Sequence, residues 1–326
     1  MNHHYVPECY LKQFLSSNNE LVTLDLDLYK NHGKFIEKER APGSICYIKD
    51  YYKIKDKVAP DSFFRELNAL DPEYVETKAF SEFELNFKSQ YDMLTGPKET
   101  LDVHFWTKSI ISLKKRNPYY MEVQDFDSLR ASATENLRKY FRSITNDEKA
   151  FEALDYVSNT IGTEIDAQRK FNLTSLIHDA QRTETASDAE ETIKSLQWDI
   201  LLADYKYPFT TTDNPGFAIA SDGEFNSFKF LDDYRQVRFY MPISPTHCLR
   251  VTSVPNKIYT GKMVRKVKLS KYETFALNLG GMKFAKRYCI CNSPGFFYQM
   301  QKEIISQFNF RNQLESFGFP STIHRL

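Results

Sequence analysis

The chain has 326 residues, 41% of them hydrophobic, and its 43 basic residues balance 43 acidic ones. That length suffices for a large core in one or two domains of ordinary size. The neutral balance excludes a global field drawing the protein to nucleic acid or anionic lipid, although a local basic cleft stays compatible with it. With 26 Phe and 20 Tyr against 11 Gly, the composition is that of a packed globular protein rather than a disordered one.

The chain opens MNHHYVPECYLKQFL. Pro7 suits the first turn of a helix, where its missing N–H costs nothing, and Tyr10, Leu11 and Phe14 then share one face. A short helix therefore docks behind His3 and His4 and pins the terminus. No apolar stretch marks a signal peptide or a membrane span, so the expectation is a soluble, cytoplasmic protein with no membrane association. The scattered cysteines (Cys9, Cys46, Cys248, Cys289, Cys291) lack zinc-finger spacing and read as reduced thiols packed as small hydrophobes.

In LVTLDLDLYKN, Leu24, Leu26 and Leu28 alternate with Asp25 and Asp27, which predicts a strand with one wet face. The next segment, to about residue 56, reads as loop, short strand and turn, broken at Pro42-Gly43. From Asp71 the period becomes helical and continues to Gly96-Pro97, followed by helical runs over roughly 100–115, 125–144, 147–160 and 163–182 and a short helix capped by Ser187-Asp188 and running through Leu196. WDILLAD, YPFTTTD, FAIAS, VRFYMPIS and HCLRVTS then read as strands, KYETFALNLGGMKFAK as a helix interrupted or ended by Gly280-Gly281, RYCICN as a last strand and EIISQFNFRNQLESFG as a closing helix. No internal repeat or low-complexity tract is present. The predicted class is α+β, a central helical block packed with N-terminal and C-terminal β segments. Residues 1–326 are read as one domain (N-terminal helix and strand over 1–60, helical block over 61–197, β-rich region with closing helices over 198–326), two intimately packed lobes being the alternative.

HHYVPECYLKQF resembles the opening of a bacterial family known as domain of unknown function 4238, whose members begin HHYVP followed by an aromatic-Leu-x-x-Phe helix. VETKAFSEFE, the Arg116-Asn117-Pro118 turn, Trp198 leading into PFTTTDNPGF, MPISPTHCL and NLGGMKFAKRY are similar to later stations of that family, so the resemblance runs from His3 to Tyr288. It implies a shared fold and brings no activity with it. HHxVP also resembles the start of ββα-metal nucleases, but only Asn31-His32 offers a downstream pair, and its context does not match.

Imidazole is the side chain suited to proton transfer near neutral pH and to transition metals. His3 and His4 are adjacent, so in a strand they point to opposite faces; one is open to chemistry while the other makes a structural hydrogen bond, or both are structural. A free amino terminus with His3 would also form a square-planar Cu(II) or Ni(II) chelate. Glu76, Phe80 and Glu84 make an i, i+4, i+8 row, and Phe80, Phe83 and Phe87 flank Glu84 on the face expected to meet the core. A carboxylate there needs a cation, a metal or a proton, and a salt bridge to Arg116 or Arg287 is the structural alternative. Asp213 and Asn214, with Thr212, end a strand in a turn: turn-capping residues or hard ligands for Mg²⁺ or Mn²⁺. Arg116, Arg287 and Lys286 suit a phosphate. Ser244 lacks a nucleophile elbow, His178 beside Asp179 reads as an ordinary core or surface histidine, and no P-loop, dinucleotide fingerprint or H-E-x-x-H helix occurs.

Two classes of function follow. In the first, a metal-dependent hydrolase acts on a phosphodiester in a nucleic acid or nucleotide, with His3 or His4, Glu84, Arg116 and Asp213 catalytic. His4, Glu76, Glu84 and Asp213 would then hold Mg²⁺ or Mn²⁺, and Arg287, Lys286 and Asn214 would bind substrate. In the second, the same His/Glu/Arg/Asp cluster is a structural polar network in a non-catalytic binding module.

Overall fold

The structure, a computed structural model, describes residues 2–28, 36–54, 65–96, 100–123, 149, 152, 188–220, 223, 225–226, 237–253 and 264–306. The predicted helices over 125–144 and 163–182, and His178, lie outside them, as does all of 147–160 except residues 149 and 152. The chain is α+β, with two compact units: Asp50–Glu82 with Pro118–Glu184, and Asn2–Lys49 with Phe83–Asn117 and Thr185–Leu326.

In the first unit, Tyr52, Leu67, Val75 and Phe80 form a small buried core, with Tyr52 and Phe80 meeting edge to face at 5.1 Å. Val75–Ala79 is a π-helical turn in which the Phe80 N–H donates to the Val75 carbonyl. The ordinary α-helix, Ser81–Thr95, begins only after it. A π turn holds an extra residue, so it interrupts the 3.6-residue register on which the Glu76–Phe80–Glu84 row depends. Glu84 is exposed rather than core-facing, a correction to the sequence reading; Phe83 and Phe87 alone take the core side of their unit.

The second unit holds the sheets. Strands β1 (Asn2–His4), β2 (Leu21–Asp25), β3 (Glu37–Arg40) and β4 (Tyr47–Lys49) come first. After them come β5 (Gln197–Leu202), β6 (Thr211–Thr212), β7 (Phe217–Ala220) and β8 (Phe225–Asn226), then β9 (Val237–Pro242), β10 (His247–Thr252), β11 (Arg265–Lys268) and β12 (Tyr288–Cys291). Among the described residues they form a pair β1-β4, a four-stranded sheet β3-β2-β12-β6 and a six-stranded sheet β11-β5-β10-β9-β7-β8. Pairing is antiparallel except between β11 and β5.

The alternating face predicted for LVTLDLDLYKN is corrected in two ways. β2 is central in its sheet, and both faces are covered: Leu21 joins one apolar cluster, Val22 and Leu24 the other. The strand also stops at Asp25, whose buried carboxylate accepts the N–H of Asp27 and of Leu28 and turns the chain away. β8 and β11 have no counterpart among the predicted strands, and the closing helix begins earlier than its pattern suggests, at Phe296. The helix forms over Lys271–Met282, opened by a reciprocal capping box between Ser270 and Glu273; it includes Gly280-Gly281 without interruption and ends one residue later.

The N-terminus is docked. Tyr10, Leu11 and Phe14 are fully buried, and the Tyr10 hydroxyl donates to the Pro242 carbonyl and lies 2.7 Å from Thr211 Oγ1. Cys46 has φ 56°, in the left-handed region that costs a non-glycine residue about 1 kcal/mol or more. Its carbonyl accepts the N–H groups of Tyr5 and Val6. Among the described residues, no helix is long and apolar enough to cross a membrane.

Candidate functional site

β1 alternates as a strand must: His3 is buried against the pairing with Ile48, and His4, opposite Tyr47, is half-buried. The His4 Nε2 lies 3.5 Å from Glu8 Oε1, one helical turn on, and its ring is 5.7 Å from that of Tyr47. Burial holds the imidazole pKa below its usual value, against the upward pull of the Glu8 carboxylate; Arg116 adds to the lowering, and Glu84 and the Ile45 carbonyl oppose it. His4 is therefore neutral at pH 7.

Arg116 follows the Val103–Lys115 helix and is fully buried. It donates to the His4 main-chain carbonyl and lies 3.3 Å from Glu84 Oε1. So the cation that Glu84 finds is Arg116, and the half-exposed carboxylate sits at the rim of this pair rather than in the core. Cys9, near the same pair, has its thiol pushed up to about 12 by burial, which makes it an inert thiol.

Asn117 continues the chain of contacts, its side-chain amide donating to the Asp213 carbonyl at 2.9 Å. The Asp213 carboxylate is buried in the turn after β6, where its two oxygens accept the N–H of Lys286 (3.0 Å) and of Arg287 (2.8 Å). Burial raises its pKa to about 6, more than those main-chain donors lower it. Asn214 Oδ1 accepts from Lys114 at 3.1 Å, and its amide donates to the Phe284 carbonyl.

Lys114 was missed by sequence reasoning. It is fully buried at the end of its helix and donates also to the Gly216 carbonyl, and burial alone lowers its pKa well below 10.5. The signal was available: Trp106, Ile110, Leu113 and Lys114 fall on one helical face, and the other three are core residues. Gly216 is required here, because φ is 79° and a Cβ would come within 2.7 Å of the Phe239 ring.

His4, Glu84, Arg116, Asp213 and Asn214 thus lie in one unit and are tied together by the segment 114–117. Lys286 enters through its main chain, and its side chain is exposed. Arg287 is half-exposed and pairs loosely with Asp25, at 3.4 Å, and Asp27, at 3.9 Å. Glu76 belongs to the first unit. Ser244 is buried in the hairpin turn between β9 and β10, where its hydroxyl oxygen accepts the N–H of Thr246 and of His247, a turn role rather than a nucleophile's. The five cysteines are free thiols, and all but Cys9 are buried.

A family model described as a protein of unknown function, DUF4238, matches residues 2–312. No curated protein and no solved structure matches the chain.

Proposed function

The chain belongs to the DUF4238 family, and from that premise we propose that it is a hydrolase acting on a phosphodiester of a nucleic acid or nucleotide, nuclease-like, with His4 as general base. The observation that carries the reading is a half-buried His4, its imidazole pKa lowered by burial, held by its own main chain to buried Arg116, with Glu8 beside its ring and Glu84 on the far side of the guanidinium. A histidine whose pKa burial lowers, set beside carboxylates and a guanidinium, is a functional-site candidate.

His4 takes a proton from water as the water oxygen attacks phosphorus, and the ester oxygen departs with a proton from solvent. Glu8 orients the imidazole and stabilises its charged form. Arg116 is a positioning residue, and Arg287 offers an exposed guanidinium to the phosphate. Mg²⁺ or Mn²⁺ would neutralise charge on the phosphate; the half-exposed Glu8 carboxylate beside the His4 imidazole nitrogen would suit such an ion, whereas Glu84 faces Arg116 instead. Asp213 fits such an ion poorly, since both its oxygens already serve main-chain N–H groups. A cytoplasmic setting belongs to the same proposal, because free, mostly buried thiols suit a reducing compartment.

One observation favours the second reading, a binding module without turnover. Arg116, Asn117 and Asp213 all spend hydrogen bonds on main-chain groups, as a network that locks the N-terminal segment would. The experiment that separates the two is turnover of bis(p-nitrophenyl) phosphate with Mn²⁺ by the wild type and by His4→Ala, alongside thermal melting. The hydrolase reading expects a loss of about 10²- to 10⁴-fold in kcat/KM with an unchanged melting temperature. An inactive wild type, or a variant that loses stability and activity together, gives the case to the network.

A further inference from the structure

Arg40 enters none of the preceding roles, yet its surroundings are unusual. It ends β3, pairs in register with Leu21, and is half-buried. Its Nε is buried without a hydrogen-bond partner, and its guanidinium carbon stands 5.6 Å from the centre of the Tyr288 ring. Tyr288 is the first residue of β12, in register with Asp25, so two-residue alternation along β2 brings Arg40 and Tyr288 to one face of the four-stranded sheet. A second guanidinium, that of Arg287, lies 4.9 Å from the centre of the same ring. Its contacts to Asp25 are long for an arginine–carboxylate pair, which closes to about 2.8 Å when well made.

Half-burying a guanidinium without an ion pair is costly, and a second cation on the same ring adds repulsion. The Tyr288 ring offsets some of that cost, but among the described residues Arg40 has no carboxylate partner, and Arg287 is held only by its long contacts to Asp25 and Asp27. An acceptor that carries at least one negative charge and several oxygens meets both demands. The ring adjoins the turn of Asp213, whose carboxylate accepts the main-chain N–H of Arg287, the residue before Tyr288.

We infer that Arg40, Arg287 and Tyr288 form an anion site that takes a phosphate group, as the subsite where the substrate phosphate is received. The choice of phosphate among anions rests on the phosphodiester reading; the site itself rests on two guanidiniums meeting one ring and on the lack of a carboxylate partner for Arg40 among the described residues. Asp25 and Asp27 face Arg287 from the end of β2, and they set the selectivity: a compact, highly charged oxyanion outcompetes them, whereas a carboxylate ligand does not.

The test is calorimetric titration of the full-length protein with inorganic phosphate. Wild type binds, and Arg40→Gln weakens binding about tenfold or more, the scale of one lost charge-assisted hydrogen bond. Arg40→Lys, which keeps the charge and loses the fork, falls between them. Lys302→Gln removes one exposed charge from the closing helix and binds as wild type does. Melting of each variant guards against loss of fold, and if Arg40→Gln does not fold, Arg40→Lys decides, with equal affinity to wild type counting against the site. No phosphate binding by wild type, or equal affinity in wild type and Arg40→Gln, overturns the inference. Arg40-dependent binding without phosphodiester turnover supports the site while ending the hydrolase reading, and His4→Ala should bind phosphate normally in either case.

Discussion

Asp213 offers both carboxylate oxygens to main-chain N–H groups, yet burial outweighs those donors and its pKa rises from 3.8 to about 6. A carboxyl whose folded value is raised stabilises the fold fully below its unfolded value and loses that contribution as pH climbs through the folded one. Asp213 should therefore cost the protein about 3 kcal/mol between pH 4 and pH 7, from the size of that shift. In Asp213→Asn this component is absent, so the stability difference between variant and wild type, read from urea midpoints, should move in the variant's favour as pH rises across that window. A difference independent of pH would mean that Asp213 stays ionised and unperturbed. Lys114 has the opposite sign. Its folded value lies well below 10.5, so the stabilisation it carries is complete above 10.5 and is lost as pH falls through the folded value. Lys114→Met leaves Asn214 Oδ1 and the Gly216 carbonyl without this donor and costs about 1–3 kcal/mol at alkaline pH. The gap should narrow as pH falls, and a constant gap would contradict an amine whose folded value burial depresses.

The docked segment behind β1 shows how packing, rather than propensity, makes a short helix. Glu8–Leu11 is one turn long, far below what holds in water alone. It persists because Tyr10, Leu11 and Phe14 are buried and because the Tyr10 hydroxyl meets Thr211 and Pro242. Tyr10→Phe should lower stability by about 1–3 kcal/mol, since a buried carbonyl is left unsatisfied, and an unchanged denaturation midpoint would show that water reaches the site. This element was legible because its apolar spacing is local, and so were the helix at Lys271–Met282 and the strands of the six-stranded sheet that carry long apolar runs. What was not legible depends on partners distant in sequence. The covering of β2 on both faces requires knowing that β12 and β3 flank it. The π turn at Val75–Ala79 leaves no compositional mark, so Glu84 was assigned to the core face by a register the backbone does not keep. β11 reads RKVK and is a strand only because β5 is there to pair with it. At the site, Arg116, Asp213 and Asn214 were chosen for their chemistry and do share one network, whereas Lys114 was overlooked although its helical spacing marked it. Arg40 gave no signal at all, since its meeting with Tyr288 crosses the sheet.

At the scale of the whole molecule, equal numbers of acidic and basic residues leave no long-range field to gather a polyanion. If the proposed substrate is a nucleic acid, its affinity must come from a few local cations, for which Arg40, Lys286 and Arg287 are the candidates. Each phosphate neutralised on a single strand releases counterions and contributes about −0.7 to the slope of log K against log salt. Three such contacts give a slope of about −2, far shallower than that of a protein with a broad basic face. Anisotropy titrations of a labelled single-stranded oligonucleotide over a range of KCl concentrations measure the slope directly. Arg40→Gln should make it shallower by about one contact, −0.7, with the melting temperature showing that the fold is retained. A slope several times steeper in the wild type would mean that binding is spread over many lysines rather than focused on the sheet edge beside Asp213, and the phosphate site would then be incidental to nucleic-acid recognition.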